Sequence, residues 1–247
     1  RWHWPSRFEL TLHGLKGGHS GGEIHKERAN AIAVSGRVLK GLTEEMDLKL
    51  CTLKGGMMDN AIPREVSAAL LVEKEQVPAL KEACLQWDGV LKREYRVSDP
   101  DITLTLKEMG QGNGSALDAA SLTKILFFLR NMPVGIQHMS MDIEGLVETS
   151  LNPGILKLQE DAFHLSFSVR SNVTSRKYEV TDRLTFLTEF LGGELTTHGD
   201  YPAWEYKAES DMRRLIADCY RELFSEEPKL QVIHAGLECG ILSGKND

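Results

Sequence analysis

Residues 48–72, LKLCTLKGGMMDNAIPREVSAALLV, decide the fold. Two strand-like runs lie here with no helix between them. Leu48–Leu53 alternates and is closed by Gly55-Gly56, and Val66–Val72 is aliphatic throughout its second half. Between them, Asn60-Ala61-Ile62-Pro63 reads as a turn or strand entry, because a residue before proline is driven towards extended geometry. A helix flanks the pair on each side. Glu27–Leu42 sets Ala31, Val34, Val38 and Leu42 at helical spacing, with Gly41 near its end. Val77–Tyr95 sets Leu80, Ala83, Cys84, Trp87, Val90 and Leu91 on one side. Beyond the helices lie two more strands, Phe8–His13 with Phe8, Leu10 and Leu12 on one face, and Ile102–Leu106. The order β-α-β-β-α-β is the split βαβ pattern of ferredoxin-like sandwiches.

The rest of the chain reads as a variant of the same plan. A helix over Ser115–Arg130 has Ser115 as N-cap, three residues before Asp118. Strands follow near Val147–Leu151, Ile155–Leu158 and Phe163–Arg170, then a helix over Val173–Leu191 and a last strand at Glu194–His198. The expectation is a doubled ferredoxin-like unit, about 8–110 and 115–199, although the two halves show no clear sequence repeat. After Gly199 the texture changes. Tyr201-Pro202-Ala203-Trp204 is linker-like. Ser210–Phe224 reads as a helix whose Met212, Leu215, Ile216, Cys219, Tyr220 and Leu223 face a core. Leu230–Ile233 is a short buried strand that delivers the glycine loop His234–Gly240, as open α/β sheets present binding groups at strand ends. One helix and one strand cannot make a sheet, so residues 200–247 read as a fragment of an α/β domain. The opening Arg1-Trp2-His3-Trp4-Pro5 and the final Ser243–Asp247 fit a segment of a longer protein.

Composition narrows the function classes. With 41% hydrophobic and 26% charged residues, the 247-residue chain has the balance of a globular protein that builds its core without staples. A net charge of -7 and the lack of a basic stripe argue against nucleic acid. No apolar run nears the roughly 18 residues a membrane helix needs. Cys51, Cys84, Cys219 and Cys239 are widely spaced, form no CxxC pair and sit in apolar surroundings, which favours reduced thiols and a cytoplasmic location.

Four places carry candidate chemistry. The loop GLKGGHSGGEIH, residues 14–25, holds five glycines, His19 and His25. Its histidines are six apart, unlike the helical HExxH zinc motif. It reads either as a flexible surface loop or as a loop that lifts an imidazole towards a ligand pressed against the backbone. Asn60 sits in a turn, where an asparagine usually closes an Asx turn. Arg170 ends an alternating strand, where a planar guanidinium can grip a carboxylate or simply face solvent. The His234–Gly240 block reads as a turn with a buried thiol or as a binding loop. No complete catalytic set emerges from these residues alone.

Taken together, GGHSGGEIH (17–25), NAIPRE (60–65), VETSLN (147–152) and HAGLECG (234–240) resemble the aminoacyl-histidine dipeptidases of the cocatalytic-zinc metallopeptidase superfamily. The resemblance runs from about Phe8 to Gly240. It implies an α/β catalytic domain with two divalent metals, zinc by family, and an inserted α+β lid; here residues 8–199 would be a doubled lid and 200–247 a piece of the catalytic domain. In relatives with a single lid unit a partner subunit completes the site, so a homodimer is a possible assembly. The resemblance assigns His19 to the stabilisation of the scissile carbonyl and oxyanion. It assigns Asn60 and Arg170 to the carboxyl end of a small dipeptide with C-terminal histidine, and Glu238 to a substrate contact rather than to a metal. The family's HxD histidine and aspartate, its bridging aspartate, its Glu-Glu pair and its final histidine have no counterpart in this sequence. The metals are therefore expected in the full-length parent and not on this chain, which by itself is expected to be inactive. A rival reading is a non-catalytic module for dimerisation or peptide binding.

Overall fold

The first strand, β1 (Ser6–His13), buries Phe8, Leu10 and Leu12 on one face, as its alternation requires. The computed structural model describes residues 5–112, 115–159, 162–203, 206 and 209–229. After β1 come β2 (Gly18–His19), α1 (Ala31–Glu45), β3 (Leu48–Gly55), β4 (Ala61–Ile62), β5 (Val66–Val72), α2 (Val77–Glu94) and β6 (Thr103–Gln111). The sheet order is β6-β1-β5-β3, with every neighbouring pair antiparallel. Each helix thus carries the chain over one intervening strand, which is the split βαβ arrangement. In β3 the register slips between Leu50 and Thr52, and this returns Leu53 to the face that already buries Leu48 and Leu50.

α1 starts later than its apolar spacing suggests. Glu27 takes a left-handed φ of 47° at the end of a short 3-10 turn, Ile24–Lys26. Asn30 then caps the helix, its side-chain oxygen accepting from the N–H of Ile32 at 3.0 Å and of Ala33 at 3.3 Å. Ile32, Val38, Leu39 and Leu42 are almost fully buried. At about 1.5–3 kcal/mol per side chain they outweigh the roughly 1 kcal/mol that each glycine in the helix costs. Those glycines are packing positions rather than stop signals. A Cβ on Gly36 would lie 2.6 Å from Leu129 Cβ, and one on Gly41 would lie 2.3 Å from the Trp87 ring.

The second half is α3 (Ala119–Asn131), β7 (Gly135–Met139), β8 (Val147–Leu158), β9 (Phe163–Ser171) and α4 (Thr174–Phe190). It extends the same sheet: β3 pairs β8, which also pairs β7 and β9. Asp118, not Ser115, caps α3. Its Oδ2 accepts from the Ser121 hydroxyl and its Oδ1 from the N–H of Ser121 and of Ala120, and these bonds hold its carboxyl below the usual range. The two strands expected at 147–151 and 155–158 are one continuous strand through Pro153. The edge of β8 facing the first half changes partner there, from β7 up to Leu151 to β3 from Leu156. Pro153 turns its carbonyl into that gap, to Asn30 Nδ2 at 2.9 Å, so its missing N–H removes no ladder bond. β7 gave no strand signal because it is short and its residues are only half buried. Residues 194–198 form no strand. They run as coil beside a groove of about 1050 Å³ that is also lined by Phe163, Phe167 and Val169 of β9.

α5 (Asp211–Phe224) forms where expected, with Ser210 accepting from the N–H of Arg213. Its apolar stripe does not face a core: Met212, Leu215, Ile216 and Leu223 are exposed, and only Ala217 is buried. A stripe shows that a helix face suits an apolar partner, not that the partner lies within these residues. Cys51, Cys84 and Cys219 are free thiols; Cys84 is buried but Cys219 is exposed, against its expected apolar setting. The strand at Leu230–Ile233, the His234–Gly240 loop, Glu238 and Cys239 lie outside the described residues. Among the described residues no helix is long and apolar enough to cross a membrane.

Candidate functional site

One buried carboxylate holds both ends of the histidine loop. Asp99, in the turn after α2, is wholly inaccessible; its Oδ1 accepts from Lys16 N–H and its Oδ2 from Ala29 N–H, both at 2.9 Å. Within the loop, β2 pairs β4, setting Gly18 opposite Ile62 and His19 opposite Ala61. The Glu23 carboxylate accepts from Lys26 Nζ at 2.8 Å and from the His19 backbone N–H at 3.0 Å, with Arg28 at 3.2 Å. Lys26 first, and then these other donors, hold the Glu23 pKa at about 2. Loop 14–25 is therefore a cinched turn rather than a free hinge.

That turn orients the His19 ring. The ring is exposed, and its Nδ1 lies 3.1 Å from Gly21 N and 3.0 Å from Gly22 N. Both backbone groups donate, so Nδ1 carries a lone pair. With Nδ1 used as the acceptor of both bonds, Nε2 is left as the ring's donor.

Asn60 and Arg170 come to the same place through Ser20. Ser20 is 1% exposed; its backbone N–H donates to the Asn60 carbonyl at 2.9 Å, and its hydroxyl accepts from Arg170 Nε at 3.4 Å. A Cβ on Gly21 would stand 3.0 Å from His19 Cε1 and 3.2 Å from Arg170 Cζ, so imidazole and guanidinium flank one glycine. Arg170 lies on β9 opposite Ser150 and is half-buried. Burial pushes its pKa down, and the charge of Asp59 pulls it back up. Among the described residues no carboxylate forms an ion pair with it. Such a half-buried cation, beside an imidazole donor, suits an anionic ligand end. A small apolar cluster of Ile24, Ile62 and Val147, with Ile136 against it, lies between the loop, β4 and the β7–β8 hairpin.

Three of the four expected site residues, His19, Asn60 and Arg170, are thus gathered from positions 19 to 170; the fourth, Glu238, lies outside the described residues. Ser20, Asp99 and Asn30 were missed. Asn30 had a usable signal, a cap residue directly before an apolar helical run. Asp99 had none, because a buried carboxylate that collects two loop N–H groups looks like any acidic turn residue. Among the described residues no three His, Cys, Asp or Glu side chains group so as to hold a metal ion, so these residues do not fit a metal pair.

Residues 10–99 match the family model described as the peptidase dimerisation domain of M20 peptidases. The match identifies residues 10–99 as an M20 dimerisation domain. The chain is 38% identical over 234 residues to the cytosol non-specific dipeptidase of Escherichia coli K12, a match covering 95% of this chain and 48% of that protein. Its structure is similar to that of aminoacylhistidine dipeptidase from Vibrio alginolyticus, with a TM-score of 0.91 and 34% identity over 99% of this chain and 50% of the other. The chain spans about half the length of these relatives. The dimerisation domain presents His19 and Asn60, whereas Arg170 comes from the strands added after it. The domain's β3 edge is covered within the chain by β8, and α1 packs on α3. β6 remains an outer strand of the sheet.

Proposed function

We propose that this chain is the substrate-gripping part of a metal-dependent dipeptidase that cleaves Xaa-His dipeptides. Residues 8–199 would be its lid, and 200–247 a piece of its catalytic domain. The observation that carries the reading is the convergence of His19, Arg170 and the Asn60 backbone on Ser20-Gly21. Arg170 and Asn60 hold the substrate carboxylate; His19 donates from Nε2 to the oxygen that gains charge as the peptide carbonyl is attacked. Ground-state grip and charge stabilisation thus fall to different side chains. The names of the two similar proteins support a dipeptidase, and that of the Escherichia coli protein a cytosolic one. A metal pair of zinc type would supply the activated water in the complete enzyme. The described residues do not themselves fit it. On this reading the isolated chain binds dipeptides through their carboxylate and does not hydrolyse them.

Titration of the chain with alanyl-histidine and with alanyl-histidinamide tests the reading. The acid should bind and the amide should bind at least about tenfold more weakly. Arg170→Met should abolish that difference. Equal affinities for acid and amide, or hydrolysis by the chain alone, would overturn the proposal. In the complete enzyme, His19→Ala should lower kcat by about 100-fold with little change in KM.

A second reading, a self-associating module, is favoured by the dimerisation-domain match and by the outer strand β6. Sedimentation would decide it: a dimer that a proline within β6 converts to monomer favours the module.

A further inference from the structure

We propose that Asn152 is a positioning residue that sets Asn60 against Arg170 and so joins the two halves of the chain into one carboxylate grip. The inference rests on the dipeptidase reading above. Asn152 stands on β8, in the gap where that strand's edge has left β7 and not yet met β3. It is 2% exposed. Its Nδ2 spends both hydrogens on the loop that carries Asn60, one on the Asp59 carbonyl at 3.0 Å and one on the Ala61 carbonyl at 2.9 Å. The amide therefore brackets Asn60 from both sides without touching it. Its Oδ1 accepts from Asn30 Nδ2 at 3.0 Å, and Asn30 caps α1. Every polar atom of the Asn152 side chain is used, and the set demands two donors and one acceptor on one planar group. Among side chains of this size only asparagine supplies that set.

The geometry turns this contact into a gauge for the site. Arg170 lies on β9, the strand next to β8, opposite Ser150. Asn60 belongs to the dimerisation domain. Asn152 ties the Asn60 loop to β8 two residues along from Ser150, so the same strand sets the spacing of both gripping residues. Gly154, two residues further, lets the loop lie directly on β8: a Cβ there would stand 2.5 Å from Asp59 Cα. The Asn60 carbonyl then meets Ser20 N–H, and the Ser20 hydroxyl meets Arg170. The side chains of His19, Asn60 and Arg170 touch substrate in the proposal; that of Asn152 acts only through Asn60.

Asn152→Asp and Asn152→Leu test the inference with two readouts on the intact chain. The first needs no ligand. Amide exchange at Ser20 should speed up about tenfold or more in both variants, while core amides of β1 and β5 change by less than about twofold. A merely structural role would move all of them together, because the whole domain would open more often. The second is the dissociation constant for alanyl-histidine at full binding stoichiometry, which should rise about tenfold; irreversibly misfolded protein would lower the stoichiometry and leave the constant alone, and reversible opening is reported by the core amides. Unchanged Ser20 exchange, or faster exchange shared equally by the core, overturns the positioning role. The dipeptidase reading fails separately, through Arg170→Met without effect on binding. If that variant weakens binding and both Asn152 variants bind like wild type, only the positioning role falls.

Discussion

Gly154→Ala is the sharpest steric test of how the two halves meet. Gly154 has no left-handed φ, so alanine costs nothing in backbone conformation. The cost is contact. The new methyl would sit 2.5 Å from both Asp59 Cα and Asp59 O and 2.6 Å from Met58 O, all backbone atoms, whereas ordinary contact begins near 3.4 Å. The 56–60 loop must therefore lift by roughly 1 Å, and an overpacked site of this kind costs about 1–3 kcal/mol. Lifting also stretches the two Asn152 bonds to Asp59 and Ala61 beyond useful length, at about 1 kcal/mol each. A loss of about 3–5 kcal/mol, at 2–4 °C per kcal/mol for a domain of this size, lowers Tm by about 6–20 °C. The control is Gly89→Ala. Gly89 lies inside α2 with open space where a Cβ would go, and alanine there should stabilise by about 0.5–1 kcal/mol. Thermal melts of the two variants beside wild type check both signs at once. A Gly154→Ala protein that melts within about 1 °C of wild type would show that the loop does not rest on β8, and the argument for Asn152 would go with it.

Asp99→Asn should destabilise by about 1–3 kcal/mol in urea, because one loop N–H then faces an amide nitrogen instead of a carboxylate oxygen. Glu23 has a depressed pKa, so its contribution to the loop is complete above its ordinary pKa of 4.5 and is lost as pH falls towards about 2. NMR titration of its carboxyl carbon should find that midpoint; a midpoint near 4.5 would refute the cinched loop. Burial pushes Cys84 to about 12, so at pH 8 a thiol reagent should label exposed Cys219 quickly and spare Cys84 until the domain opens, as mass spectrometry of timed digests would report. Arg170→Lys should recover only part of the affinity for alanyl-histidine that Arg170→Met loses, since an ammonium cannot make the paired contact; full recovery in calorimetry would show that charge alone binds.

Local pattern alone was enough to lay out the first half of the fold and its order. Val66–Val72 and Val77–Glu94 formed almost residue for residue as their spacing dictated, because period 2 and period 3.6 are local properties of the chain. The motifs also picked out His19, Asn60 and Arg170 one at a time. Sequence failed where a distant partner set the local choice. Asn-Pro-Gly at 152–154 falls between two strands expected from their texture, yet it runs as strand, with β7 and β3 leaving a gap beside it. Glu194–His198 has strand texture and pairs with nothing among the described residues, while α5 has an apolar face that these residues leave exposed. Long-range packing brings a serine from the loop, an asparagine from the turn and an arginine from β9 to one point, with Asn152 and Asp99 holding them there. The physical reason is that pairing and burial join residues up to 150 positions apart, as the Ser20–Arg170 contact does, whereas a periodic pattern reaches only a few residues.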